Sequence, residues 1–151
     1  MRLTRQSSYA IRTLIYCAVN GPELSRIADI ARAHGISELF LFKLIKPLVE
    51  NGLIETVRGR KGGIRLGRPA SEITLLDTVK LTEENFAMAE CFEGSDVRCP
   101  LADACDLSGA LHEALAAFFD VLDGYTIADL ADKRRSIRVR LGLEDRRVLT
   151  Q

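Results

Sequence analysis

No apolar run in the 151 residues exceeds six, Ala114–Phe119 being one, against the roughly 20 needed to cross a bilayer. The opening stretch, Met1-Arg2-Leu3-Thr4-Arg5-Gln6, turns polar too soon for the apolar core of a secretory signal, so a soluble, cytoplasmic protein is expected. No paired acid and base, activated nucleophile or glycine-rich phosphate loop stands out, and the chain is not expected to be an enzyme. Cysteine is scarce, and none of the four is in a CxxC pair of the kind that grips zinc from tight knuckles. With no mark of secretion, disulfides are not expected either. Net charge is also lacking, with 21 basic against 21 acidic side chains.

That zero conceals two halves of opposite sign. Residues 1–68 carry 12 basic and 5 acidic side chains. Residues 69–132 carry 2 against 14, and the tail 133–151 carries 7 against 2. A basic half followed by an acidic one suggests that the first meets a polyanion while the second does something else. An apolar content of 47% and a charged content of 28% leave the chain an ordinary globular composition.

The basic half reads as a mainly α, winged helix-turn-helix unit. Tyr9, Ile11, Leu14, Ile15 and Ala18 share one helical face over about 5–19, and Asn20-Gly21-Pro22 ends that helix. A second helix is expected over about 24–34, with Leu24, Ile27, Ala28 and Ala31 inward and His34 at its exposed end. After Gly35, Ser37 is placed to cap a third helix, 37–51, that buries Leu41, Leu44, Ile45, Leu48 and Val49 and kinks at Pro47. This third helix is the expected reading helix, with contacts over 37–46, Ser37, Glu38, Phe40 and Lys43 among them. Two β-prone runs then flank Gly59-Arg60-Lys61-Gly62-Gly63 and make a hairpin wing. Arg58, Arg60, Lys61 and Arg65 crowd its tip, suited to phosphates or a minor groove.

The acidic half opens with a helix that Ser71 is expected to cap, then loses periodicity from Thr82 to Asp106. Within that stretch Cys91, Cys99 and Cys105 are spaced C-x7-C-x5-C. Wide gaps suit an iron–sulfur cluster, whose irons spread over several ångströms, although spacing alone leaves zinc open. Cys17 reads as a small core residue. A helix over 105–123 follows, with Leu107, Leu111, Ala114, Leu115, Phe118, Phe119 and Leu122 in one stripe. No further long apolar helix is available to cover it, so the same helix of a second subunit is expected, giving a homodimer. The organisation expected is a DNA-binding domain over 1–68, a linker helix, cysteine loop and dimerisation helix over 69–132, and a solvated, partly disordered basic tail over 133–151.

Met1-Arg2-Leu3-Thr4 with Tyr9-Ala10-Ile11-Arg12, the Ile27-Ala28 helix, Val57-Arg58-Gly59 leading to Gly62-Gly63, and the three-cysteine loop together resemble the Rrf-type winged-helix iron–sulfur regulators. That group includes IscR, NsrR and the rhizobial iron regulator RirA, the last nearest in appearance, and the resemblance spans about residues 1–130. It implies a dimeric repressor on a palindromic operator, with a cluster on Cys91, Cys99 and Cys105, 4Fe–4S foremost and 2Fe–2S or 3Fe–4S as alternatives. It also implies control of operator affinity by iron, with oxygen or nitric oxide as further signals. The rival readings are a winged-helix repressor with structural zinc and an iron–sulfur electron-transfer or assembly accessory.

Several positions depart from that pattern. Ser108 stands where IscR-type members have a ligand histidine, Ser8 where NsrR-type members have an aspartate, and Phe42 where IscR-like members place an acid in the reading helix. His112, seven residues beyond Cys105 and roughly 10 Å along a helix, does not replace the missing histidine. Ser8, Asp103 and Asp106 are therefore the candidates for the fourth ligand.

Overall fold

A computed structural model describes residues 2–92, 99–101 and 104–143, Cys91 by its backbone alone. The described residues form seven helices and one two-stranded antiparallel sheet, a mainly α winged helix-turn-helix. Helix α1 (Arg5–Asn20) begins at Thr4, whose side chain accepts the Ser7 N–H. It ends at Gly21, where φ is 74° and a side chain would be strained. Ala10, Leu14 and Cys17 recur at helical spacing and are buried.

Helix α2 (Ile27–His34) starts three residues later than the apolar pattern suggests. Ser25 is bridged to the wing instead: its N–H donates to Ile64 O at 2.8 Å, and Ile64 N–H returns a bond to Ser25 O at 2.9 Å. The contact depends on glycine, because a Cβ at Gly63 would lie 2.7 Å from Ser25 O. Two backbone bonds and a close approach outweigh the helix propensity of Leu24 and Arg26.

Gly35, left-handed at φ 63°, turns the chain into α3 (Glu38–Glu50), and Ser37 Oγ accepts the Phe40 N–H as its cap. The helix runs through Pro47 instead of breaking there, and Asn51 closes it by donating N–H and Nδ2 to Pro47 O. The wing pairs β1 (Ile54–Val57) with β2 (Gly63–Leu66), Ile54 facing Leu66 and Val57 facing Gly63. Leu14, Ile30, Leu41, Leu48, Leu53, Ile54 and Ile64, each at most 2% exposed, form the core beneath these elements. Each buried side chain of this size is worth about 1.5–3 kcal/mol.

The same core takes in Ile73 and Ile127 from the acidic half. Helix α4 (Leu75–Thr82) is capped by Thr74 in a reciprocal box with Asp77; Ser71 lies in a short 3-10 turn, Ala70–Glu72. Helix α5 (Leu107–Asp123) has no buried residue along its length. At its far end the chain returns to α4, with Leu75 N–H bonded to Tyr125 O at 2.8 Å and Ile127 N–H to Ile73 O at 2.9 Å. Helix α6 (Ile127–Leu130) follows.

The basic tail does not begin as a solvated end. Residues 134–140 form α7 (Arg134–Arg140), and Arg134 Nε and Arg138 Nη1 both donate to Val19 O, at 3.0 and 2.9 Å. Cationic side chains thus satisfy a carbonyl at the C-terminus of α1, where the helix dipole favours them. Leu141 and Leu143 pack on the core, and residues 144–151 lie outside the described part. No described helix is long and apolar enough to cross a membrane.

Candidate functional site

Helix α3, the expected reading helix, presents Glu38, Leu39, Phe42, Lys43, Lys46 and Glu50 outward, while Leu41, Leu44, Ile45 and Leu48 are buried. Ser37 is exposed; its oxygen is occupied by the Phe40 N–H, and its own hydrogen remains to donate outward. Lys43 makes no ion pair among the described residues, and Lys46 sits 3.9 Å from Glu50 in an exposed pair worth little. Phe40, expected among the contacts, is instead half-buried against the core, its ring edge-on to Tyr9 at 5.8 Å.

At the wing Arg58, Arg60 and Lys61 are exposed and carry no carboxylate partner among the described residues. Arg65 differs. It faces Glu55 directly across the hairpin and donates Nε and Nη2 to its two oxygens at 2.9 and 3.0 Å. Those hydrogen bonds, then the guanidinium charge, hold the Glu55 carboxyl below its usual range. Arg65 therefore stiffens the hairpin and offers less free charge than the three cations at the tip. Arg68 holds the base of the wing to α4 through Asp77 at 2.7 Å.

Two cations that the sequence analysis did not single out stack on aromatic rings of α1 and α3. Arg5 lies over the Tyr9 and Phe40 rings at 5.7 and 6.0 Å, and Arg12 over Tyr9 at 5.1 Å. Their spacing of seven puts both on one face of α1.

His34 is half-buried, not an exposed helix end. Its ring stands edge-on to Tyr9 and Tyr16 at 6.4 and 6.2 Å, and its Nε2 has no hydrogen-bond partner among the described residues. Burial first, then the charge of Arg12, holds its pKa below 6.5, against a backbone hydrogen bond that raises it. A depressed pKa means that the unfolded chain binds the proton more readily. The stability contributed by neutral His34 is therefore complete above pH 6.5 and is lost as pH falls through the folded value. Between pH 7.5 and 5.5 the melting temperature of His34→Phe should fall less than that of the native chain, by about 3 °C. Calorimetry at the two pH values checks this, and equal falls would refute it. The carboxylates with depressed pKa values, Glu55, Glu83 and Asp129, lose their contribution only at lower pH.

A polar knot joins α1 to the end of α4. Ser7 Oγ bonds Thr82 Oγ1 at 2.7 Å and also donates to Glu83 Oε1, which accepts the Thr4 N–H at 2.7 Å. Burial pushes the Glu83 carboxyl up, but the bonds from Ser7 and Thr4 outweigh it and hold it below the ordinary range. Phe86, three residues on, meets Phe119 of α5 edge-on at 4.8 Å, and Lys80 of α4 lies over that ring at 5.5 Å.

The cysteine segment is approached from both sides. Cys105 is a free, half-buried thiol just before α5, and the Leu107 N–H donates to its Sγ at 3.4 Å. Asp106, at the N-cap position, makes no side-chain cap bond. Cys99 is free and exposed. Cys91 lies in a 3-10 turn, Glu90–Phe92, whose Phe92 ring stacks flat on His112 of α5 at 4.2 Å. His112 Nδ1 is within 2.7 Å of Ser108 O and acts as the donor. Among the described residues no three metal-binding side chains converge. Ser8 is half-buried on α1, and Asp103 lies outside the described residues. Cys17 is buried in the core; burial pushes its thiol up to about 12, opposed by a hydrogen bond from Ser25.

Residues 3–133 match the Rrf2 family, described as an iron-dependent transcriptional regulator. The chain belongs to that family. Protein aau3 of Rhizobium meliloti (strain 1021) is 63% identical over 145 residues, covering 96% of this chain and 94% of the relative. The HTH-type transcriptional regulator NsrR of Geobacillus kaustophilus is 47% identical over 139 residues, covering 91% and 95%. The solved structure of CymR, the global cysteine regulator of B. subtilis, superposes with a TM-score of 0.71 at 27% identity, covering 87% and 97%. IscR of T. potens shares the fold, with a TM-score of 0.71 at 22% identity over 91% of each chain. The Rrf2 chain is thus a DNA-binding transcriptional regulator, and α3 with the wing is the part whose form suits a duplex.

Proposed function

We propose that this chain acts as a homodimeric repressor whose operator affinity is set by an iron–sulfur cluster on Cys91, Cys99 and Cys105. The observation that carries the reading is the surrounding of Cys105. Its free thiol receives the Leu107 N–H, a bond of the kind that tunes cluster sulfurs, at the start of the helix left uncovered for a second copy. The donor set fits: free thiols at Cys99 and Cys105, and a turn holding Cys91 pinned to the same helix through Phe92 and His112. Asp106, whose carboxylate caps nothing, is the nearest in sequence of the fourth-ligand candidates; Ser8 and Asp103 are the others.

When bound, such a cluster supplies a link between loop and helix that is sensitive to iron supply and to oxidants. The residues do the rest. Phe119 passes the position of α5 to Phe86 and Lys80, and Ser7, Thr82 and Glu83 pass that of α4 to α1, which underlies the reading helix. In a two-fold dimer the two α3 helices would enter successive major grooves about 34 Å apart. Iron sufficiency is the state in which the operator is held.

Protein isolated without oxygen should absorb visible light, run as a dimer and shift a duplex selected from a random pool. A chelator should remove colour and shift together. Iron-free, colourless protein that binds the duplex at full strength sinks the reading, and one colourless metal per chain, indifferent to oxygen, assigns zinc.

A further inference from the structure

We infer that the reading helix recognises thymine 5-methyl groups through Leu39 and Phe42, so that the operator half-site is specified by apolar contact more than by forked hydrogen bonds. The inference rests on α3 being the helix that enters the major groove.

These two side chains are 68% and 57% exposed, although every other large apolar residue of α3 is at least half-buried. They stand three residues apart in the first two turns, the part of a reading helix that reaches base edges. At about 100° per residue the whole outward face, from Glu38 to Lys43, spans roughly 140°, with Phe42 and Leu39 inside it. That face holds no arginine, asparagine or glutamine. The forked pairings that pick out guanine with arginine and adenine with asparagine or glutamine are therefore unavailable on it. What remains is lysine toward guanine, glutamate toward cytosine, and apolar contact with the one methyl that the major groove displays, on thymine. Lys43 and Lys46, each four residues beyond one of the pair, set positive charge beside the apolar patch. That charge, with Arg58, Arg60 and Lys61 on the wing, makes a duplex the fitting occupant.

The test uses the full-length protein isolated without oxygen. A preferred duplex is selected from a random pool, and each thymine is then replaced in turn by deoxyuridine, which deletes the methyl and leaves base pairing and the minor groove unchanged. The expected result is a loss of about fourfold in affinity at one or two positions per half-site, the worth of one buried methyl. At those positions the loss should vanish in Leu39→Ala or Phe42→Ala, variants that truncate mostly exposed side chains and keep the fold intact by circular dichroism. Deoxyuridine tolerated within twofold at every thymine overturns the inference, as does a penalty that persists undiminished in both variants. Failure to select any sequence from the pool overturns the assignment of α3 as a reader, which is a different failure.

Discussion

Cys105→Ala should remove the visible absorption of protein isolated without oxygen and lower its affinity for the selected duplex by roughly 100-fold, within the range of coupling energies between linked sites. The size follows from position. Cys105 immediately precedes the Asp106 cap of α5, its sulfur already engaged by the Leu107 N–H, so the thiol is fixed relative to the helix before any metal arrives. Cys105→Ser keeps a hydrogen-bond acceptor of similar size and separates packing from ligation: it should restore the melting temperature without restoring colour. Cys17→Ala is the matching control, because that thiol is 1% exposed in the core and far from the loop in sequence. It should keep both colour and affinity at some cost in stability. Spectra and band shifts on the three variants decide the matter, and a Cys105→Ala protein with undiminished affinity would show that ligation at this position does not govern the reader.

The second large effect is expected at the wing. Replacing Arg58, Arg60 and Lys61 together by alanine should weaken duplex binding about 100-fold at low salt, at roughly 1 kcal/mol for each charged contact. The slope of log affinity against log salt should fall in magnitude by about 3, near 0.9 for each phosphate no longer neutralised. The loss should be similar for selected and unrelated duplexes, because phosphate contacts carry position and not sequence. Arg65→Ala should change the slope less, since Glu55 already holds that guanidinium through two bonds. A titration across four salt concentrations gives both quantities, and an unchanged slope in the triple variant would remove the wing from the interface.

What was legible in the sequence was local. Ser37 and the glycines at 21 and 35 mark helix ends by chemistry that acts within four residues, and the hairpin announces itself through its basic, glycine-rich turn. The stripe along α5 was legible for the same reason, since its period is a property of one helix. Thr74 could have been found: with Asp77 three residues on it spells a capping box, a stronger signal than a lone serine at 71.

The misses came from contacts distant in sequence. Ser25 is drawn out of a helix by Ile64, His34 is enclosed by tyrosines of another helix, and Phe40 turns inward because Tyr9 is there to meet it. The tail looked unstructured because its partner, Val19 O, is 115 residues away from Arg134. At the candidate site the assignment of Cys91, Cys99 and Cys105 as ligands comes from spacing and resemblance alone and stays a proposal. The Phe92–His112 stack and the Ser7–Thr82–Glu83 knot were not legible, since neither has any signature along the chain.

The pairing of residues 73–75 with 125–127 has a mechanical consequence. It anchors α5 at its C-terminal end, while its N-terminal end carries the cysteine segment. Seventeen residues of helix make an arm about 25 Å long, so a tilt of about 10° at the fulcrum swings the tip by about 4 Å. Under the proposed function, a modest rearrangement among the thiols would be geared down to a small rotation where the arm meets α4, and a dimeric reader matching two grooves of fixed spacing would need no larger stroke.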